Sequence, residues 1–177
     1  MIIIPGWLVS LATFPGIIVH EIAHRLFCDL AKVPVYNVCY FRIGNPAGYV
    51  IHGPVKELKS SLLISIGPLI VNTVLCALLT FSATFPISIL EAENHNIVFK
   101  ILIWLGFSIG MHAFPSNEDM ESFLQAVKNT NQKGILLIFA KIFACLIKVA
   151  NFLRCAWFDF FYALGISMIL PGLITLL

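Results

Sequence analysis

Long apolar stretches separated by short polar loops dominate the pattern of this chain. Each stretch predicts a helix, because a backbone surrounded by lipid must satisfy its own hydrogen bonds. Crossing about 30 Å of hydrocarbon takes roughly 20 mostly apolar residues. Five stretches approach or exceed that length, at about residues 2–30, 58–85, 97–114, 134–150 and 156–177. The pattern therefore predicts an all-α polytopic membrane protein with about five transmembrane helices.

Three local features modify this pattern. The first span contains a Pro-Gly pair at 15–16, where the helix is expected to bend or restart. Residues 33–55 place aromatic and β-branched side chains around a Gly-Asn-Pro turn, which predicts a short β-hairpin between the first and second spans. The polar residues 116–133 are expected to begin with a short surface helix.

The composition supports a membrane protein and excludes several other classes. Of the 177 residues, 59% are hydrophobic and only 11% are charged, and the mean hydropathy is +0.95. A soluble fold cannot bury that much apolar surface. The net charge of +2 is too small for a nucleic-acid groove, and the five cysteines form no CxxC pair. Because the apolar start lacks a basic leading region, we expect it to belong to the mature structure. With no repeat or linker visible, residues 1–177 are expected to form a single integral membrane domain.

The loop charges predict the orientation in the membrane. The loops after the first and third spans are basic, whereas the loop after the second span is acidic. The basic side chains are Lys32, Arg42, Lys56, Lys59, Lys128 and Lys133, and the acidic ones are Glu91 and Glu93. Basic loops tend to stay in the cytoplasm. We therefore expect a multi-pass protein of the cell membrane in which the end of span one, the start of span two and the end of span three lie on the cytoplasmic side.

The sequence His20-Glu21-Ile22-Ala23-His24 carries the candidate chemistry. On a helix, the two histidines of H-E-x-x-H lie one turn apart on one face and can bind one Zn²⁺, while Glu21 can take a proton from zinc-bound water. Ionisable side chains within an apolar span usually have a function. The alternative is a position at the membrane boundary, where Glu21 pairs with Arg25.

A hydrolytic zinc site needs a third protein ligand and an open position for water. The candidates on the same side are His52, His112, Glu118 and Asp119. Asp119 is preferred, because Zn²⁺ with two neutral histidines, an Asp119 carboxylate and an ionised Glu21 has no net charge. The alternative is an ordinary solvated acid in a loop that also contains Glu118.

These motifs resemble the site-2 protease family of intramembrane zinc metalloproteases. The resemblance covers residues 16–120 and includes the H-E-x-x-H helix, Gly67-Pro68 followed by Asn72, and Asp119 after a proline. It implies that His20, His24 and Asp119 bind one zinc per chain, that Glu21 activates water, and that Gly67, Pro68 and Asn72 border the substrate.

Two spacings differ from the usual family pattern, as expected for a divergent member. Three residues instead of two separate Pro68 from Asn72, and Met120 instead of glycine follows Asp119. Apart from the resemblance, Gly67-Pro68 would loosen its helix. The alternative is a structural kink with Asn72 bonded to a neighbouring helix. The closing spans at 134–177 contain no motif that indicates a role.

The predicted function is zinc-dependent hydrolysis of peptide bonds in membrane-embedded or juxtamembrane segments. The expected partners are a transmembrane peptide or protein substrate and the lipid bilayer, with selection by the spans or by a partner protein, and no nucleic acid. The predicted hairpin could pair with the substrate as an added strand or could be a plain connector. The alternative function is a non-catalytic metal-binding membrane protein, such as an assembly factor or transport component.

Overall fold

The computed structural model describes residues 5–55, 57–89 and 96–175, and these residues are mostly helical. Lys56, Glu91 and Glu93, which contributed to the predicted orientation, lie outside the described residues. The elements in chain order are α1 (Gly6–Ala12), α2 (Phe14–Leu30), β1 (Val35–Cys39), β2 (Tyr49–His52), α3 (Leu58–Ile89), α4 (Ile97–Met111), α5 (Asn117–Asn129), α6 (Ile135–Leu153) and α7 (Phe158–Thr175), with a 3₁₀ turn at Arg154–Ala156.

The first apolar stretch is broken, as the Pro-Gly pair predicted. Helix α1 ends at Ala12, α2 begins at Phe14, and the two axes meet at an angle of 83°. Pro15 lies in the first turn of α2, where its missing N–H costs nothing because helix-starting amides have no partner within the helix. The chain therefore enters α2, which carries the histidine motif, from the side.

The predicted β-hairpin is confirmed. Strands β1 and β2 pair antiparallel, with Val38 opposite Val50 and Cys39 opposite Tyr49. The Gly53 amide also donates to the Pro34 carbonyl at 2.8 Å and closes the open end of the hairpin. The connecting loop at 40–48 reaches back toward α2, which brings the hairpin into the surroundings of Glu21.

Helices α2, α3, α4 and α7 pack together as a bundle. Helix α3 continues through Gly67-Pro68 without interruption. Small residues bring α4 close to its neighbours: a Cβ at Gly110 would lie 2.7 Å from Cys76 Sγ and 3.0 Å from Ala163 Cβ. Such contacts between small residues are typical of helices that associate in lipid.

The predicted surface helix at the start of residues 116–133 is also confirmed as α5. Helix α5 packs along α6, and the shared core contains Met120, Phe123, Ala140, Ala144 and Ile147. The rings of Phe123 and Phe143 have centroids 5.6 Å apart. This pair of helices forms a hairpin beside the bundle.

Two helices within the described residues are long and apolar enough to cross a membrane, at Leu58–Ile87 and Ile135–Ala156. The bent pair α1 and α2 makes a third if it counts as one span. Helices α4 and α7 are apolar but shorter. The structure therefore supports two to three candidate spans, and the count of five remains a prediction.

Candidate metal centre

Two histidines from α2 and one carboxylate from α5 meet at a single point. His20 Nε2 lies 3.6 Å and His24 Nε2 lies 3.2 Å from Asp119 Oδ2. One ligand atom from each of the three residues lies within 4.8 Å of the others, a spacing that can hold a metal ion. The structure thus brings together the three residues that the sequence analysis selected as ligands.

A backbone carbonyl orients the His20 ring. His20 Nδ1 lies 2.7 Å from the His112 carbonyl oxygen, which can only accept, so Nδ1 carries the proton and donates. The lone pair of the ring is therefore on Nε2, which faces Asp119. Metal-binding histidines commonly donate their second N–H to a carbonyl in this way.

His24 supplies the observation that tests whether the site fits a metal. Its Nε2 atom is buried and has no hydrogen-bond partner among the described residues, although Asp119 Oδ2 is close by. Leaving a buried polar atom unpaired costs free energy. Two imidazoles and a carboxylate are also ligands that zinc prefers, so the donor set fits this ion.

Ser116 holds the Asp119 carboxylate in place. The Ser116 amide and hydroxyl donate to Asp119 Oδ2 at 2.8 and 2.7 Å, while the Asp119 amide donates to the Ser116 hydroxyl at 3.1 Å. This capping box starts α5 and aims Oδ2 at the histidines. Burial raises the pKa of Asp119, but the positive charge that His24 and His20 carry when protonated holds that pKa well below its usual range. The carboxylate therefore stays ionised at neutral pH.

A cavity of about 1180 Å³ opens onto this cluster. His20, Glu21, His24 and Asp119 line it, together with the loop between the two strands and one face of α5. Glu21 is only 7% exposed and lies under the loop, where a Cβ at Gly48 would come within 2.9 Å of Glu21 Oε1. Only glycine lets the loop approach this carboxylate so closely.

The other candidate ligands are placed differently. The His112 ring bonds through Nε2 to Thr13 Oγ1 at 2.7 Å, so this histidine contributes its carbonyl to the site and not its ring. His52 and Glu118 line the cavity but are outside the group of three ligands. Arg25 Nε lies 4.0 Å from Asp29 Oδ2, and Arg25 Nη1 donates to the Tyr40 hydroxyl. Arg25 therefore does not form the ion pair with Glu21 that a position at the membrane boundary would favour.

The three residues predicted to border the substrate do not line the cavity. Asn72 is fully buried, and its Nδ2 atom lies within hydrogen-bond distance of the carbonyls of His112 (2.9 Å), Ile109 (3.1 Å) and Gly16 (3.4 Å). Gly67 faces the Phe27 ring where α2 and α3 pack closely, and Pro68 is buried. Asn72 therefore joins α3 to α4 and α2, as the alternative interpretation proposed, and it shares the His112 carbonyl with His20.

The sequence analysis missed two residues that position the site. Ser116 could have been found, because Ser-x-x-Asp is the signature of a capping box. Arg154 carries no such signal: its Nη2 atom donates to the Phe114 carbonyl at 3.0 Å, and its Nε atom lies 2.9 Å from Asp159 Oδ2. Arg154 thus fixes the segment that leads to Ser116.

Comparison of the sequence with protein-family models and with curated proteins, and of the fold with solved structures, found no match. The fold and the site define a helical protein with a candidate metal centre of two histidines and one aspartate. The membership of the site-2 protease family remains a prediction from the motifs.

Proposed function

We propose that the chain is a zinc-dependent intramembrane metalloprotease with one Zn²⁺ bound by His20, His24 and Asp119. The observation that carries the proposal is the convergence of these ligands beside Glu21 on one cavity. Three protein ligands would leave a coordination position open for water or substrate, as in hydrolytic zinc sites. A structural zinc site would instead use four protein ligands.

The residues of the chain have separate roles in the proposed hydrolysis. A zinc ion held there would polarise the scissile carbonyl and lower the pKa of a coordinated water. Glu21 would act as the general base and acid, holding the proton of the attacking water at a carboxylate oxygen and passing it to the leaving amine. The loop over Glu21 limits the access of bulk water to this carboxylate, since Gly48 packs against it.

The proposed substrate is a membrane-embedded or juxtamembrane peptide segment. The candidate spans favour placement in a bilayer, and basic residues such as Lys59 and Lys128 favour a site that faces the cytoplasm. The cavity borders β2 as well as the metal cluster. An extended peptide could therefore pair with the hairpin while its carbonyl reaches the site. Selection of the substrate comes from the bundle or from a partner protein.

The variant Glu21→Gln tests the catalytic role. Purified protein is incubated with a panel of single-span peptides, with and without a chelator, and zinc content is measured in parallel. Cleavage should fall by about a hundredfold or more in Glu21→Gln, while zinc is retained, because Glu21 is a base and not a ligand. Glu121→Gln on the outer face of α5 is the matched control and should cleave normally. If the intact protein binds zinc but cleaves none of the peptides, the non-catalytic alternative is favoured.

The variant Asp119→Ala tests the third ligand. Its zinc affinity should fall by at least about tenfold, and Glu118→Ala, the neighbour that lines the same cavity, should bind zinc nearly as well as the intact protein. Equal affinities for Asp119→Ala and the intact protein would contradict the ligand set.

A further inference from the structure

We propose that α6, although long and apolar enough to span a membrane, lies on the bilayer surface on the side of the metal centre, with Lys141 and Lys148 toward anionic lipid headgroups. This inference rests on the proposed placement of the bundle in a membrane. It replaces the fourth span that the hydrophobic pattern predicted at residues 134–150.

The chain leaves α4 and enters α7 at the same end of the bundle. Phe114 follows α4, and its ring lies 5.2 Å from that of Phe158, the first residue of α7. Arg154, just after α6, also donates to the Phe114 carbonyl. The start of α7 and the end of α6 are therefore on the side of the membrane where α4 ends, which is the side of the metal centre.

Between the end of α4 and the start of α7, helices α5 and α6 form an antiparallel hairpin. Asn117 at the start of α5 accepts a hydrogen bond from Asn151 near the end of α6, at 3.0 Å. Because both ends of the hairpin lie on one side, α6 can cross the membrane only if α5 crosses it in the opposite direction. The number of crossings between α4 and α7 must be even.

Helix α5 is unsuited to such a crossing. It exposes charged and amide side chains along its length, at Glu118, Glu121, Gln125 and Lys128. Charged side chains are rarely found facing lipid, because removing them from water is unfavourable. Since α5 does not cross, α6 does not cross either.

The surface of α6 has three sectors. One sector, with Ala140, Ala144 and Ile147, packs against α5 and α3. A second sector is apolar but exposed, with Ile138, Phe139, Ile142, Leu146, Val149 and Phe152 between 51% and 76% accessible. The exposed Lys141 and Lys148, two turns apart, lie between the two sectors.

The charge of the two lysines and the position of the exposed sector next to α7 identify the bilayer as its occupant. The apolar side chains can enter the acyl region while the flanking lysines reach headgroup phosphates. Lys148 also borders a small cleft that it shares with Glu121. The surface adjoins α7, which enters the bundle directly after the 3₁₀ turn. Because Asp119 belongs to the same hairpin, docking of α6 would help to hold this ligand at the histidines.

Cysteine labelling tests the crossing. In a background without the other cysteines, Cys155 at the end of α6 or Gln132→Cys before it is labelled with a membrane-impermeant maleimide, with Lys59→Cys and Glu93→Cys as references. We expect both test positions to label from the side of Lys59→Cys, opposite Glu93→Cys. Labelling of either test position from the side of Glu93→Cys would overturn the inference and leave the proposed function intact. Labelling of both references from one side would instead refute the membrane arrangement on which the proposal rests.

A lipid experiment tests the docking surface. Cys145 in the exposed sector carries an environment-sensitive fluorophore, and the protein is reconstituted at high dilution in phosphatidylcholine vesicles with or without about 30 mol% phosphatidylglycerol. The anionic lipid should shift the emission to the blue and increase quenching by brominated lipids. The variant Lys141→Gln/Lys148→Gln should lower the docked-to-undocked ratio by about fivefold per lysine, whereas Lys128→Gln on α5 should not. Emission that does not respond to the lipid charge or to the double variant would overturn the headgroup contact.

Discussion

Replacing Ser116 by alanine would remove one of the groups that hold the Asp119 carboxylate toward the histidines. The hydroxyl of Ser116 donates to Asp119 Oδ2 at 2.7 Å and accepts from the Asp119 amide at 3.1 Å. The backbone amide of Ser116 would still donate to Oδ2 at 2.8 Å. The carboxylate would thus remain near the site but lose part of its orientation.

Two separate free energies should change in Ser116→Ala. Loss of a group that orients a metal ligand typically weakens binding by 10- to 100-fold, or about 1.4–2.8 kcal/mol. Because the backbone donor remains, we expect a loss near the lower limit, about tenfold in zinc affinity. Loss of the serine cap should also lower the free energy of unfolding by about 1 kcal/mol.

Competition with a chromophoric chelator measures the zinc affinity of the folded protein. Thermal unfolding without metal measures the contribution of the cap to the free energy of unfolding. Ser116→Thr keeps the hydroxyl and should bind zinc nearly as tightly as the intact protein. Ser122→Ala removes a hydroxyl from the same helix and the same cavity and should leave the affinity unchanged. The reasoning is refuted if Ser116→Ala binds zinc as tightly as the intact protein, or if Ser116→Thr loses as much affinity as Ser116→Ala.

Two further predictions concern residues around the site. Asn72→Ala removes the donor to the His112 carbonyl, so it should lower the free energy of unfolding by about 1–2 kcal/mol and zinc affinity by roughly tenfold. Thr80→Val, a buried control on the same helix, should leave zinc affinity unchanged. Equal zinc affinities for the two variants would contradict a positioning role for Asn72. Gly48→Ala places a methyl group against Glu21, so kcat for peptide cleavage should fall by at least about tenfold while zinc content stays constant. An unchanged kcat would show that the loop does not set the position of the Glu21 carboxylate.

The local elements of this protein follow from the sequence because their causes act over a few residues. The apolar stretches predicted the helices, the Pro-Gly pair predicted the break before α2, and the turn residues predicted the hairpin. The positions of His20 and His24 on one face follow from the helical repeat alone. The capping box of Ser116 and Asp119 is equally local and was readable from the sequence, although it was not recognised there.

The tertiary structure decided which side chains meet across the bundle. His112 was a candidate ligand by its residue type, yet packing directs its ring to Thr13 and its carbonyl to His20, which is 92 residues away along the chain. Asn72 was expected to border the substrate, but its burial between three helices makes it a donor to backbone carbonyls. Such contacts depend on how the surfaces of distant helices fit together, and no local spacing encodes that fit.

The length and apolar composition of α6 indicate a membrane span, because hydropathy records only whether a segment could enter lipid. Whether α6 crosses the membrane depends on where its two ends lie. The contact between Phe114 and Phe158 places the end of α6 beside the end of α4, and the polar side chains of α5 are the reason why we propose that the hairpin does not cross. The sequence by itself determined which segments are helical and which side chains carry metal-binding groups, because periodicity and side-chain chemistry are local properties. Only the tertiary structure decided that Asp119 reaches the histidines and that both ends of the hairpin lie at one end of the bundle, because these depend on contacts between residues far apart in the chain.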